Sequence, residues 1–162
     1  MRRVDPLDLE AWGRVAVDRA AEAVMAAIPV DQQPAIGARA RATSARRGYV
    51  ARYVHFRRPD YPAQHALWLF VVPPGHPYNI GGPRTRAGAG LMHDAATELD
   101  ESPFAAGLSR GGPFRWQRHN NPKYAGYRLV LEVDPDNESA EDVATRLADA
   151  VLHGLRRAGL IR

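Results

Sequence analysis

Apolar residues recur every three to four positions at both ends of the chain, and they alternate or run together in its middle. At the N-terminal end Leu9, Trp12, Ala16, Ala20, Val24 and Ile28 fall on one stripe, while Glu10, Arg14, Asp18 and Glu22 lie off it. Asp5 suits a cap, Pro6 the first helical position and Asp8 the first turn, so the spacing predicts a helix from there to about Ile28, stopped by Pro29 and Pro34. Its alanine-rich face predicts close packing against another element. At the C-terminal end Ser139 stands three residues before Asp142 in a capping-box-like start, and Val143, Leu147, Val151 and Leu155 form the stripe. Arg156 and Arg157 suit the last turn, and Gly159 suits a C-terminal cap.

Four strands are expected between these helices. Tyr49 to Arg57 is rich in β-branched and aromatic residues, and Ala66 to Val72 is a continuous apolar run expected to be buried on both faces. Pro59-Asp60-Tyr61-Pro62 supplies the turn chemistry between them. Phe114 to His119 alternates. After Asn120-Asn121-Pro122, the residues Tyr127, Leu129, Leu131 and Val133 alternate with Arg128, Val130, Glu132 and Asp134. Two hairpins are the economical arrangement. The Gly/Pro-rich connection from Pro73 to Gly112 reads as a long central loop in which only Leu91 to Glu101 forms a short helix, and loops of that length commonly carry function. The pattern therefore predicts one α+β domain over residues 1–162. Its central antiparallel sheet has four to five strands and is flanked by the long N- and C-terminal helices. There is no internal repeat.

Composition narrows the function classes. With 162 residues the chain is long enough to bury a core of its own, and the absence of cysteine removes thiolate-metal, Cys-nucleophile and disulfide-scaffold chemistry. Met1-Arg2-Arg3 leads into Val4-Asp5-Pro6 rather than an apolar segment, and the Ala66 to Pro74 run is too short to cross a bilayer. A cytoplasmic protein without membrane contact is the expectation. The sequon Asn137-Glu138-Ser139 is then uninformative.

The net charge of +4 comes from arginine, Lys123 being the only lysine. Its distribution is uneven. From Gln32 to Leu131 there are 14 basic residues against five acidic ones, a net +9, and the two ends together carry −5. Arg39, Arg41, Arg46, Arg47, Arg52, Arg57 and Arg58 follow one another without an acidic residue before Pro59, interleaved with Tyr49, Tyr53, His55 and Phe56. Guanidinium groups grip phosphates and carboxylates, and aromatic faces stack on bases. Arg115, Arg118, Lys123 and Arg128 extend the same face if the two hairpins lie side by side. The simpler reading is that these arginines pair with the acidic helices or solubilise the sheet.

The segment IGGPRTRAGAG, Ile80 to Gly90, resembles a phosphate cradle with Arg84 and Arg86 as its charges, although no Gly-Lys-Ser/Thr follows and no dinucleotide fingerprint is completed. A flexible surface loop is the simpler reading. His93-Asp94 with Glu98 offers an acid/base pair but lacks a second nearby histidine for a metal. Asp60, Glu132 and Asp134 offer carboxylates without the lysine expected for nuclease chemistry, and Ser102, Ser109 and Ser139 have no nucleophile-elbow setting. No cofactor or metal is therefore expected.

The leading expectation is a non-catalytic binding module for an anionic partner, either nucleic acid or an acidic protein surface. Its anion-binding residues are Arg46, Arg47, Arg52, Arg57, Arg58, Arg84, Arg86, Arg115 and Arg118, and its stacking residues are Tyr49 and Tyr53. The alternative is a small hydrolase or transferase with its site in the 74–112 loop. A homodimer through a sheet edge is a third reading.

Overall fold

The computed structural model describes residues 6–33, 44–46, 49–57, 64–76, 79, 83–92, 112–117 and 126–162. Helix α1 spans Pro6–Ala27, and a single 3-10 turn, Val30–Gln32, follows Pro29. The strands are β1 (Ser44–Arg46), β2 (Tyr49–Arg57), β3 (Gln64–Val72), β4 (Arg86–Met92), β5 (Arg115–Gln117) and β6 (Gly126–Glu132), and helix α2 spans Ala140–Arg157. The class is α+β. All strands pair antiparallel in one six-stranded sheet of order β1-β2-β3-β4-β6-β5. Among the described residues no helix is long and apolar enough to cross a membrane.

The sheet has six strands rather than four to five, the strands not expected being the short β1 and the central β4. Leu91 and Met92, expected to open a short helix, are the last residues of this strand, and the remainder of that expected helix lies outside the described residues. The AGAG stretch reads as a loop because it has no bulk, yet its glycines meet a packing need. Trp68 pairs with Gly90 and Phe70 with Gly88, and the rings lie over the glycines. A Cβ on Gly88 would collide with the Leu129 carbonyl oxygen and come within 2.6 Å of Phe70 Cζ, whereas on Gly90 the closest atom would be Trp68 Cε3 at 3.2 Å. Glycine inside a strand marks such a close approach. Because β4 lies between β3 and β6, the two expected hairpins are not neighbours.

One face of the sheet carries Val50, Val54, Phe56, Leu67, Leu69, Val71, Ala87, Ala89, Leu91, Tyr127 and Leu129, all buried in one cluster with residues of both helices. Helix α1 contributes Ala16, Val17, Ala20, Ala21, Val24 and Ile28, and α2 contributes Val143, Leu147, Val151 and Leu155. Small residues let α1 lie close to the sheet, since a Cβ on Gly13 would stand 3.1 Å from Val50 Cγ2. Helix α2 begins with Ser139 Oγ accepting from the Asp142 amide at 3.1 Å. It ends in a Schellman turn, with Gly159 at φ 76° and the Leu160 amide donating to the Leu155 carbonyl at 2.9 Å.

Polar clamps join the ends of these elements. Gln32, only 1% exposed, donates through Nε2 to the Arg57 carbonyl at 2.9 Å and the Leu160 carbonyl at 2.8 Å, and its Oε1 accepts from the Arg162 amide at 2.9 Å. It ties the turn after α1 to the end of β2 and to the segment after α2. Trp12 Nε1 donates to the Glu138 carbonyl at 3.0 Å, bringing the start of α2 against α1.

Replacing Gln32 with Leu strands two carbonyls and an amide, and a loss of about 3 kcal/mol in the denaturation free energy is expected, at ~1–3 kcal/mol per buried unsatisfied group with partial rehydration. Gly88→Ala should cost about 2 kcal/mol and Gly90→Ala less than about 1 kcal/mol, because only the first meets fixed backbone; chemical denaturation of both variants checks the order.

Candidate anion-binding face of the sheet

Strand alternation sends Tyr49, Ala51, Tyr53, His55 and Arg57 to the face away from the helices, and the pairing register carries this face across the sheet. One row reads Tyr53, Trp68, Gly90, Arg128, Arg115 and another Ala51, Phe70, Gly88, Val130. Val72, Arg86 and Glu132 line up beyond them. The Arg128 guanidinium lies over the Trp68 ring, 5.4 Å from its centroid, in cation–π geometry.

This face has an apolar interior of its own. Ala51, Trp68, Phe70 and Val72 are buried and form a second cluster, with Tyr49 and Tyr53 packed half-buried against it. Trp68 and Phe70 are 7% and 3% exposed, with ring centroids 4.6 Å apart, so neither offers a stacking surface. The half-buried rings are Tyr49, Tyr53, His55 and His76, and Tyr49 and His76 stack at 5.2 Å with planes 15° apart. The sequence pattern singled out the two tyrosines. His76 was only one histidine among several there, because nothing local shows that the turn after β3 returns its ring to Tyr49.

Arg52 does not belong to this face. It alternates with Tyr53 and Ala51, pairs with Leu69, and projects into the helix layer, where its Nη1 lies 3.2 Å from Asp18 Oδ1 of α1. Its place in an uninterrupted basic run hid this, since the two faces of a strand take alternate residues. Arg57 is exposed on the outward side at the end of β2. Arg46 pairs with Tyr49 in the β1–β2 register. Arg84 is exposed, with a long 3.9 Å contact to Glu132, and Arg86 is half-buried on β4. Arg115 is exposed and donates through Nη1 to the carbonyls of Gly112 and Phe114, the latter at 2.9 Å. Arg47, Arg58, Arg118, Lys123, His93 and Asp94 lie outside the described residues.

The Gly-rich segment is therefore divided. Its second half is β4, where the glycines accommodate aromatic rings rather than an anion. The connection before it is organised by Asn79, 5% exposed, whose Nδ2 donates to the Pro73 carbonyl at 3.0 Å and the Arg84 carbonyl at 2.8 Å. The Asn79 amide also donates to the His76 carbonyl at 2.8 Å. An asparagine in a Gly/Pro-rich turn was the available signal for this clamp.

Acid–base and metal chemistry find little footing among the described residues. No group of three His, Asp or Glu side chains is arranged to hold a metal ion there. The Asp134 carboxyl is held below the usual carboxylate range, chiefly by the Asn137 side chain donating at 2.7 Å and also by the Asp136 amide at 3.0 Å. That arrangement is an Asx turn leading into α2, a structural use of the carboxylate. An open groove of about 470 Å³ runs along α2 beside Asp149, Leu152, His153, Arg156 and Arg157, away from the sheet's outward face.

No protein family, curated protein or solved structure matches this chain. Any functional reading thus rests on the geometry alone.

Arg52→Ala should lower stability by about 1 kcal/mol while leaving anion affinity unchanged, and a double-mutant cycle with Asp18→Ala should show coupling of about 0.5–1 kcal/mol for this partly exposed pair.

Proposed function

We propose that the protein is a non-catalytic binding module that engages an anionic partner, nucleic acid or an acidic protein surface, through the sheet face turned away from the helices. The observation that carries this reading is the sorting of charge by register. Arg57, Arg86, Arg115 and Arg128 take outward positions on four different strands, against Glu132 at the described outward strand positions and Asp134 just past the end of β6, within electrostatic reach of Arg84. On the opposite layer α1 bears Asp8, Glu10, Asp18 and Glu22 against Arg14 and Arg19, while the charges of α2 balance, Glu141, Asp142 and Asp149 against Arg146, Arg156 and Arg157. Charge separated in this way steers an anion to one face and away from the other.

The spacing of the cations also matters. Neighbouring strands stand about 4.8 Å apart, so arginines on successive strands present a ladder of donors across the sheet rather than one point of charge. Guanidinium groups grip phosphate or carboxylate oxygens two at a time. Arg128, already spread over Trp68, presents its charge with the arm held by the ring. Among the described residues the edge strands β1 and β5 are three residues long, and short edges are poor templates for edge pairing.

Binding to oligonucleotides and to polyglutamate across a salt series tests the proposal. Affinity should fall steeply between about 50 and 200 mM salt, on the order expected for several released counterions. Arg57→Glu with Arg115→Glu should flatten the slope by about 0.9 for each duplex phosphate that is no longer neutralised. Binding of neither polyanion at low salt, or salt-insensitive binding, would overturn it.

A further inference from the structure

We infer that the partner of this face is a single-stranded nucleic acid, with an unpaired base taken by the Tyr49–His76 ring pair and its flanking phosphates by Arg84 and Arg86. This rests on the reading of the outward face as anion-binding and narrows it to one polymer.

Three rings form a graded series at one corner of the sheet. Trp68 is 7% exposed and anchors the series, Tyr49 tilts against it at 5.9 Å, and His76 stacks on Tyr49 at 5.2 Å with planes only 15° apart. Burial falls from Trp68 outward, since Tyr49 and His76 are each only half-buried. Near-parallel rings at a partly wet border extend their stack with a further flat ring, and base–aromatic stacking needs no sequence readout. An acidic protein surface would use the guanidinium groups and leave these rings without a role. A duplex keeps its bases inside the helix and so is also excluded from the stack.

The charges lie beside the rings. Arg86 stands on β4 opposite Val72, at the end of β3 from which the turn carrying His76 departs. Arg84 is linked to His76 through Asn79, whose side chain donates to the Arg84 carbonyl and whose amide donates to the His76 carbonyl, and among the described residues its exposed guanidinium keeps only the long 3.9 Å contact to Glu132. Asn79 thus ties the backbone of His76 to that of Arg84, and backbone anchored before binding lowers its ordering cost.

The test uses the full chain with fluorescently labelled oligothymidylate, a mixed-sequence duplex and polyglutamate, each at one low salt concentration. Oligothymidylate should bind most tightly. Tyr49→Leu and His76→Ala should each weaken it by about tenfold, while polyglutamate affinity stays unchanged. Tyr49→Phe, which keeps the ring, should retain affinity for the single strand and separates loss of stacking from loss of folding. Equal binding of all three polymers, or equal losses on all three in the leucine variant while the phenylalanine variant behaves as the parent, would overturn the inference and leave the anion-binding proposal standing. Failure of every polymer to bind would overturn both.

Discussion

From Ala66 to Val72 strand β3 has no polar side, and the architecture answers that constraint. Leu67, Leu69 and Val71 are fully buried toward the helices, while Trp68, Phe70 and Val72 are buried on the opposite face. Removing a large apolar side chain from water is worth about 1.5–3 kcal/mol, so a strand of this composition gains most when it is central and covered twice. Its neighbours have matching shapes. Toward the helices, Gly13 and the alanines of α1 permit close approach, and away from them the glycines of β4 leave room for the indole and phenyl rings. The bulk of β3 and the smallness of β4 are two halves of one packing arrangement.

Closing the helices over one face brings chain segments distant in sequence together, and there backbone groups need partners. Gln32 serves three of them at once, Trp12 serves the carbonyl before the cap of α2, and Asn79 serves the connection between β3 and β4. These three side chains are amphipathic or polar, yet their role is to hold the frame. Arg52 plays a similar part, because a cation among the alternating core positions of β2 is tolerable only beside the Asp18 carboxylate.

With Arg52 turned inward, β2 gives the outward face only Arg57 among its described arginines, and the others arrive from other strands. Arg128 and Arg115 come from the hairpin of β5 and β6, and Arg86 from β4, so the cationic ladder exists only once β4 has been inserted between the two hairpins. The same insertion places aromatic rings under and beside those arginines.

Local periodicity settled the helices and several strands. The stripe from Leu9 to Ile28 places α1, Ser139 and Gly159 bracket α2, and the bounds of β2 follow from its β-branched and aromatic run, because capping, turn chemistry and alternation act between residues a few positions apart. The double burial of β3 was legible in its unbroken apolar composition for the same reason. Strand β4 was not, since a run of small residues carries no hydrophobic signal and becomes a strand only when the rings of β3 need the space. Nor could the basic run reveal which of Arg52 and Arg57 turns away from the helices, because alternation divides the residues of a strand into two sets without stating which set the helices will cover. That choice, and with it the composition of the candidate site, belongs to the tertiary structure, where burial of the larger apolar set decides which charges remain outside.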